Sequence, residues 1–384
     1  MDAEQKKVVL VVDDAPANIQ IVQSILKDDY KLRIATGGVK ALDLIRRDPK
    51  PDLVLLDVQM PEMDGYEVCA FMKASPETRD IPVIFLTGLT DIEDETKGLE
   101  LGAVDYIRKP FSPAIVKARV RTHLMLRDSR EELASQLHAI NDEMEMARQI
   151  QLSILPQSLP AIVGVDLAAR YLAMASVSGD FYDFIRVNER QLGVLVADVS
   201  GHGPPAALIA SMLRIALAEQ QPHAADPARV LAGINQALCG NFDRQFVTAA
   251  YVFLDMEQRL LRYAGAAHPP LVVSRKSEPG ARAIEENGLP LGQFPDQTYT
   301  AVELQISQGD RCVLYTDGLP EAKNSEEQEF GTARFLQFLD RQEAAGADEF
   351  ADSLIDEVFR WSGFPRGGGQ RDDITLLAIA FKED

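Results

Sequence analysis

A chain of 384 residues with 46% hydrophobic and 26% charged residues lies outside the disordered and fibrous classes and is long enough for two cores, since domains usually run about 100 to 200 residues. Its formal net charge of −20, from 39 Lys and Arg against 59 Asp and Glu, repels a phosphate backbone and argues against a nucleic-acid partner. The same excess suits carboxylate clusters that hold divalent cations, although a solvated acidic surface would give the same total.

Cys69, Cys239 and Cys312 are odd in number and widely spaced, which indicates neither a disulfide framework nor a zinc site and points to a reducing compartment. The apolar run VVLVV near the N-terminus is too short for a signal peptide, and no stretch approaches the about 18 apolar residues of a membrane span. The expectation is a cytoplasmic protein with no membrane association.

From Lys7 to about His123, short β-branched runs alternate with helical patterns: VVLVV (8–12), KLRIA (31–35), DLVLLD (52–57), PVIFLT (82–87) and DYIRKP (105–110). This alternation predicts a doubly wound α/β domain with five parallel strands, covered by helices on both faces. Between Val116 and Gln151 there is neither Gly nor Pro, and Leu133, Leu137, Ile140, Met144 and Ala147 recur at spacings of 4, 3, 4 and 3. That is a short heptad seam, interrupted at Arg119, His123, Arg130 and Gln151. It reads as a marginal dimeric coiled coil, or as a single amphipathic helix packed on a neighbour.

After Leu155-Pro156 the texture changes. Strands are expected at 167–173, 191–199, 246–255, 260–267, 311–318 and 372–381, and helices at 205–220, 227–239 and 347–362. The pattern is that of an α+β layered fold, with RGGG (366–369) a flexible-looking loop. The expected organisation is a first domain over 1–123, a helical linker over 124–152 and a second domain over 153–384.

In a doubly wound sheet, ligands bind at the carboxyl ends of the strands. Asp13 and Asp14 follow the first run, Asp57 ends the third, Thr87 the fourth, and Lys109 the fifth. Clustered carboxylates need a cation, and hard oxygen ligands suit Mg2+. A carboxylate beside it can accept a phosphoryl group as an acyl phosphate, with Lys109 and Thr87 binding the phosphoryl oxygens. Acids that merely cap helices and turns do not account for so many coincident placements. Asp64-Gly65 reads as a simple turn.

These residues, with VVDDAPAN (11–18), LLDVQMPEMDG (55–65), FLTG (85–88) and DYIRKPF (105–111), resemble the receiver domain of bacterial response regulators. The resemblance implies that Asp57 is the phosphoacceptor, that Asp13, Asp14 and Asp57 hold Mg2+ with the Gln59 carbonyl, and that Thr87 and Tyr106 form the switch. It also implies a cis Lys109-Pro110 bond and a sensor histidine kinase or phosphotransfer protein as partner.

In the second half, Asp180 in SGDFYDF, Asp198 in ADVSGHG, Asp317 in LYTDGLPEA and Asp372 in RDDITLL each end an apolar run or open a Gly-containing turn. A set of carboxylates, backbone carbonyls and water selects Mg2+ or Mn2+. Two such ions about 3.5 to 4 Å apart can activate a water for in-line attack on a phosphate ester. His202 and His268 are candidates for the general acid, although His268, before Pro269-Pro270, reads better as a structural loop residue.

These segments, with ARQIQLSILP (147–156), FVTAAYVFLD (246–255), YAGAAHPP (263–270) and GLPLG (288–292), resemble the SpoIIE/RsbU branch of PPM (PP2C-like) phosphatases. The resemblance implies a sandwich flanked by helices and two Mg2+ or Mn2+ ions. It makes Asp180, Asp198, Asp317 and Asp372 the ligands, with the Val199 carbonyl beside them and Asp373 able to replace Asp372. Ser178 and Ala267 stand where the family commonly has Gly. The implied substrate is a phosphorylated STAS-type anti-sigma factor antagonist, dephosphorylated by a protein Ser/Thr phosphatase under the control of Asp57. The linker helix would form a homodimer. The alternative from another class is an adaptor of RssB-like domain order that binds a sigma factor. The four retained Asp residues argue against a purely non-catalytic domain.

Overall fold

The computed structural model describes residues 6–88, 92–174, 177–201, 203–242, 244–278, 280–341, 346–365 and 370–382, and not the side chains of 92–95. The 366–369 loop lies outside the described residues. The chain divides into two compact units, Met1–Ala139 and Ile140–Asp384.

In the first unit, β1 (Val8–Val12), α1 (Pro16–Leu26), β2 (Lys31–Ala35), α2 (Gly38–Arg46), β3 (Leu53–Asp57), α3 (Gly65–Ala74), β4 (Val83–Thr87), α4 (Ile92–Glu100), β5 (Asp105–Arg108) and α5 (Pro113–Ile154) follow in order. The strands pair in parallel as β2-β1-β3-β4-β5. Successive side chains of a strand point to opposite faces, and the apolar runs divide accordingly. Leu10, Val12, Val54, Leu56 and Phe85 pack with Ala41, Ile45, Val68 and Met72 of α2 and α3. Val9, Val11, Leu53, Leu55, Ile84 and Leu86 pack with Val22 and Leu26 of α1 and with Val116, Val120 and Leu124 of α5. Both faces are covered, which is why these strands carry no polar alternation.

The last receiver helix and the expected linker are one helix, α5, which runs unbroken because no Gly or Pro occurs between Ala114 and Leu155. Two of the residues that interrupt its heptad seam, Arg119 and His123, have a partner on β5. Asp105 of β5 accepts from Arg119 and is bonded to His123 Nε2 at 3.0 Å. Leu133, Leu137 and Ile140 are 57%, 53% and 52% exposed.

In the second unit, β6 (Val165–Leu172), β7 (Asp180–Arg186), β8 (Gln191–Val199), α6 (Pro204–Glu219), α7 (Pro227–Leu238), β9 (Val247–Asp255) and β10 (Leu260–Ala266) come first. They are followed by β11 (Leu271–Ser274), β12 (Arg282–Ile284), β13 (Asn287–Gly288), β14 (Val302–Gln305), β15 (Arg311–Tyr315), α8 (Gly331–Arg341), α9 (Ala347–Ser362) and β16 (Ile374–Phe381). One sheet has the order β13-β10-β9-β8-β7, with β14 also on β10; the other has the order β12-β11-β15-β16-β6. The larger apolar cluster joins Val194, Val196, Tyr251 and Phe253 of the first sheet to Leu314, Leu377 and Ile379 of the second and to Leu213 and Ile234 of α6 and α7. A second cluster lies between the other face of the second sheet, through Val313, Tyr315 and Leu376, and Phe335, Phe350 and Leu354 of α8 and α9. The result is a sandwich with helices on both outer faces.

Candidate functional site

Three carboxylates of the first unit converge at the point where the strand order reverses between β1 and β3. Asp13, Asp14 and Asp57 each offer an oxygen, and these oxygens lie within 4.8 Å of one another. Asp13 is fully buried and accepts from Asn18 Nδ2 and from the Ala15 amide. Lys109 Nζ lies 2.9 Å from both Asp13 and Asp57. Burial, above all, pushes the Asp57 carboxyl up, and the neighbouring Asp13 adds to it, while the bond from Lys109 works against them. Burial also works against the Lys109 ammonium, but its bonds to Asp13 and Asp57 win and hold its pKa above the ordinary range. Thr87 is buried at the end of β4, Tyr106 is half-buried on β5 and Gln59 is exposed in the loop after β3. The Lys109-Pro110 bond is cis.

Asp64-Gly65 is more than a turn. Asp64 caps α3 by accepting from the Glu67 amide at 2.8 Å, and Glu67 returns the bond to the Asp64 amide at 3.0 Å, which forms a capping box. A Cβ on Gly65 would stand 2.2 Å from the Asp57 carbonyl oxygen. Glycine is therefore required at this close approach to the loop after Asp57.

In the second unit, Asp180 is the first residue of β7, a strand absent from the expected pattern, and pairs directly with Asp198 of β8. Asp180 is 2% exposed, and its Oδ2 accepts from Thr316 Oγ1 at 2.8 Å and from Thr375 Oγ1 at 2.6 Å. These two hydroxyls, one before Asp317 and one two residues after Asp373, were not anticipated. Their signal was in the motifs TDG and DDIT. Burial raises the Asp180 carboxyl well above its usual range, and Asp198 adds to the effect. The Asp198 carboxyl is pushed up to about 7, by burial first and then by Asp317, Asp372 and Asp373. Asp317 is also raised, by burial and then by Glu321. Among the described residues, no three carboxylates of this unit lie within 4.8 Å of one another, so these acids form a looser set than the receiver triad.

The adjacent acids at the start of β16 divide their work. Asp373 is buried, and its carboxylate accepts from the amides of Met174 at 2.7 Å and Gly179 at 2.9 Å. Asp372 is exposed and lines a cavity of about 130 Å3 with Gly318, Glu321 and Phe359. Asp373 thus fastens the loop that carries Asp180, while Asp372 faces open space. A Cβ on Gly318 would meet the Asp373 carbonyl oxygen at 2.0 Å, which ties Asp317 closely to the same strand.

His202 lies outside the described residues. His268 is 2% exposed, with Nδ1 bonded to Thr248 Oγ1 at 2.9 Å, and burial lowers its pKa to about 3. A ring held neutral in the core serves as a structural residue. Ala267, just before it, adopts a φ of +52°, a left-handed conformation that costs a non-glycine residue about 1 to 2 kcal/mol. The Ala267→Gly variant is expected to raise stability by up to about 1 kcal/mol, because relief of this strain exceeds the added freedom of the unfolded chain. Denaturant unfolding of the full chain would measure it, and a lower midpoint would contradict the assignment of strain.

A receiver-like sheet with an acidic pocket and a sandwich with separated acids at one edge define a two-part signalling protein of the response-regulator and PP2C-like classes. The family model for stage II sporulation protein E (SpoIIE) matches residues 188–382, just over half of the chain, and the response regulator receiver domain model matches residues 9–121. The chain belongs to the SpoIIE family and carries a response-regulator receiver domain at its N-terminal side.

The phosphoserine phosphatase RsbU of Bacillus subtilis is 28% identical over 262 residues, which cover 68% of this chain and 74% of RsbU. A probable cyclic di-GMP phosphodiesterase of Vibrio cholerae is 47% identical over 137 residues, 36% of this chain. The chain spans only 30% of that relative's length. Among solved structures, the SiaA PP2C domain of Pseudomonas aeruginosa aligns with a TM-score of 0.58 and 27% identity, covering 65% of this chain and all of that one. Among the described residues, no helix is long and apolar enough to cross a membrane.

Proposed function

We propose that the chain is a response regulator whose phosphorylation at Asp57 controls a Mg2+- or Mn2+-dependent protein Ser/Thr phosphatase. Its substrate would be a phosphorylated STAS-type anti-sigma factor antagonist. The observation that carries this reading is the pairing of Asp180 with Asp198 across β7 and β8, beside Asp317 and Asp372, in a setting that disfavours bare carboxylates. Such a set fits hard divalent cations. The likeness to RsbU, a phosphoserine phosphatase, supports the activity.

In this reading Asp180, Asp198, Asp317 and Asp372, with the Val199 carbonyl, would hold two ions, and Asp373 would fasten the loop that leads into Asp180. The ions would neutralise the phosphate ester's charge and activate a water. Thr316 and Thr375 orient the Asp180 carboxylate, as outer partners of ligating carboxylates commonly do. In the receiver, Asp13, Asp14, Asp57 and the Gln59 carbonyl would hold Mg2+, and Lys109 would present its ammonium to the incoming phosphoryl group. A phosphohistidine of a kinase or phosphotransfer protein supplies that group: the N–P bond breaks as a carboxylate oxygen of Asp57 bonds to phosphorus. Thr87 and Tyr106 then report the new charge. The domains are assigned as receiver 1–123, linker 124–152 and phosphatase 153–384. The exposed Leu133, Leu137 and Ile140 of α5 supply the seam of a homodimer.

The test is Mn2+-dependent hydrolysis of a phosphorylated STAS protein, with and without beryllofluoride on the receiver. Wild type is expected to hydrolyse the substrate at a rate that changes with receiver state. Asp57→Asn is expected to keep a basal rate that acetyl phosphate and beryllofluoride no longer alter. Hydrolysis absent in every state, with metal-independent sigma-factor binding, would favour the adaptor reading instead.

A further inference from the structure

Gln151 interrupts the heptad pattern near the C-terminal end of α5, and the structure gives this interruption a purpose. Its side chain is 5% exposed and makes two bonds to one residue: Nε2 donates to the Ser178 carbonyl at 2.6 Å, and the Ser178 amide donates to Oε1 at 3.0 Å. The two amide groups that follow are also held by side chains. The Gly179 amide donates to Asp373 at 2.9 Å, and the Asp180 amide donates to Ser178 Oγ at 3.0 Å. Three consecutive backbone donors leading into Asp180 are thus fixed by Gln151, Asp373 and Ser178. The end of α5 is itself anchored, because Leu155 is buried in the core and Arg214 Nη1 donates to the Ile154 carbonyl at 2.6 Å.

We propose that Gln151 is a positioning residue for Asp180: its carboxamide locks residue 178 to the last turns of α5, so that a shift or rotation of this helix end displaces the Asp180 carboxylate. The inference rests on the reading of Asp180 as a metal ligand. Gln151 acts on Ser178, two positions before that ligand in the chain, through backbone and not through the reacting atoms. The chemistry fits the role. A buried carboxamide that fills both its donor and acceptor capacity on one peptide unit is directional, and leaving those peptide groups unpaired in the core costs more than losing an exposed bond. Ser178 is part of the same device, since its hydroxyl supplies the third of the three bonds.

The test is Gln151→Met in the full-length protein, which keeps the length and helix preference of the side chain and removes both hydrogen bonds. The half-saturating Mn2+ concentration, read by activity on a phosphorylated STAS protein and independently by Mn2+ binding in calorimetry, is expected to rise about tenfold or more, the usual scale for lost support of a metal ligand. KM for the phosphoprotein at saturating Mn2+ is expected to stay within about twofold of wild type, since only the ligand's placement depends on residue 151. If Q151M fails to fold, Q151E serves in its place, since its carboxylate still accepts from the Ser178 amide but offers no donor to the carbonyl. It should also show a rise, since its second carboxylate oxygen faces the Ser178 carbonyl oxygen with no proton between them. A wild-type chain with no Mn2+-dependent hydrolysis overturns the phosphatase reading and the inference with it. An active wild type whose Mn2+ response and binding are matched by the folded variant overturns the inference alone.

Discussion

Asp198→Asn is expected to reduce Mn2+-dependent hydrolysis of a phosphorylated STAS protein by about 10³-fold, beyond the about 10- to 100-fold typical of residues that only orient a ligand. The substitution keeps the shape of the side chain and removes its charge. Asp198 faces Asp180 in register and takes its raised pKa from burial and from Asp317, Asp372 and Asp373 together. Removing one of these mutually repelling acids relieves the metal-free protein while it removes a ligand. The variant should therefore unfold at a higher temperature than wild type in EDTA, and should gain less from added Mn2+. Opposite signs for stability and activity distinguish a functional carboxylate from a structural one. Retention of hydrolysis within about tenfold of wild type, or a loss of stability in EDTA, would remove Asp198 from the site.

The second large effect is the dependence of metal-free stability on pH. An unfolded aspartate titrates near about 3.9, whereas Asp198 in the folded chain is pushed up to about 7 and Asp180 is raised as well. Between those values the folded state binds more protons than the unfolded one, so the stability associated with these groups is present at low pH and is lost as pH rises through the folded pKa. Asp105 and Asp166, whose carboxyls lie below their ordinary range, act at more acidic pH and with the opposite sign.

Calorimetric unfolding of the full chain in EDTA should thus show the second-unit transition moving down between about pH 5 and pH 8. Divalent cations bind the deprotonated acids, so added Mn2+ should stabilise more at the higher pH than at the lower. A metal-free transition that is flat or rises over the same range would mean that these acids are not buried together.

Much of this architecture is legible from the chain itself. The receiver strands are continuous β-branched runs because both faces of their sheet are covered, and such runs have few alternative conformations. The long strands β8, β9 and β16 and the helices α6, α7 and α9 stand out for similar reasons. What is not legible follows from weaker physics. β7 begins on a buried aspartate and carries Asp183 and Arg186 along an edge position, so its composition resembles a turn. β11 to β14 have two to four residues each, which leaves little periodicity to detect.

The site divides in the same way. Motif acids can be picked out because each sits beside Gly or at the end of an apolar run. The residues that hold them cannot: Thr316, Thr375 and Gln151 make contacts across 136, 195 and 27 positions of sequence. Asp372 and Asp373 look interchangeable as letters, and only the pairing of β16 decides which turns inward to fasten the loop.

That fastening sets an order of events. Asp373 lies 194 residues beyond the Gly179 amide it holds, immediately before the strand that completes the second sheet between β15 and β6. During synthesis, the segment around Asp180 leaves the ribosome long before its tether exists, and contacts of such separation form late because a long loop must close first. The receiver, whose acids lie close together in sequence and whose sheet needs nothing from the second unit, is complete well before then. The acidic pocket of the first unit can thus form on the nascent chain before the segment around Asp180 has its tether.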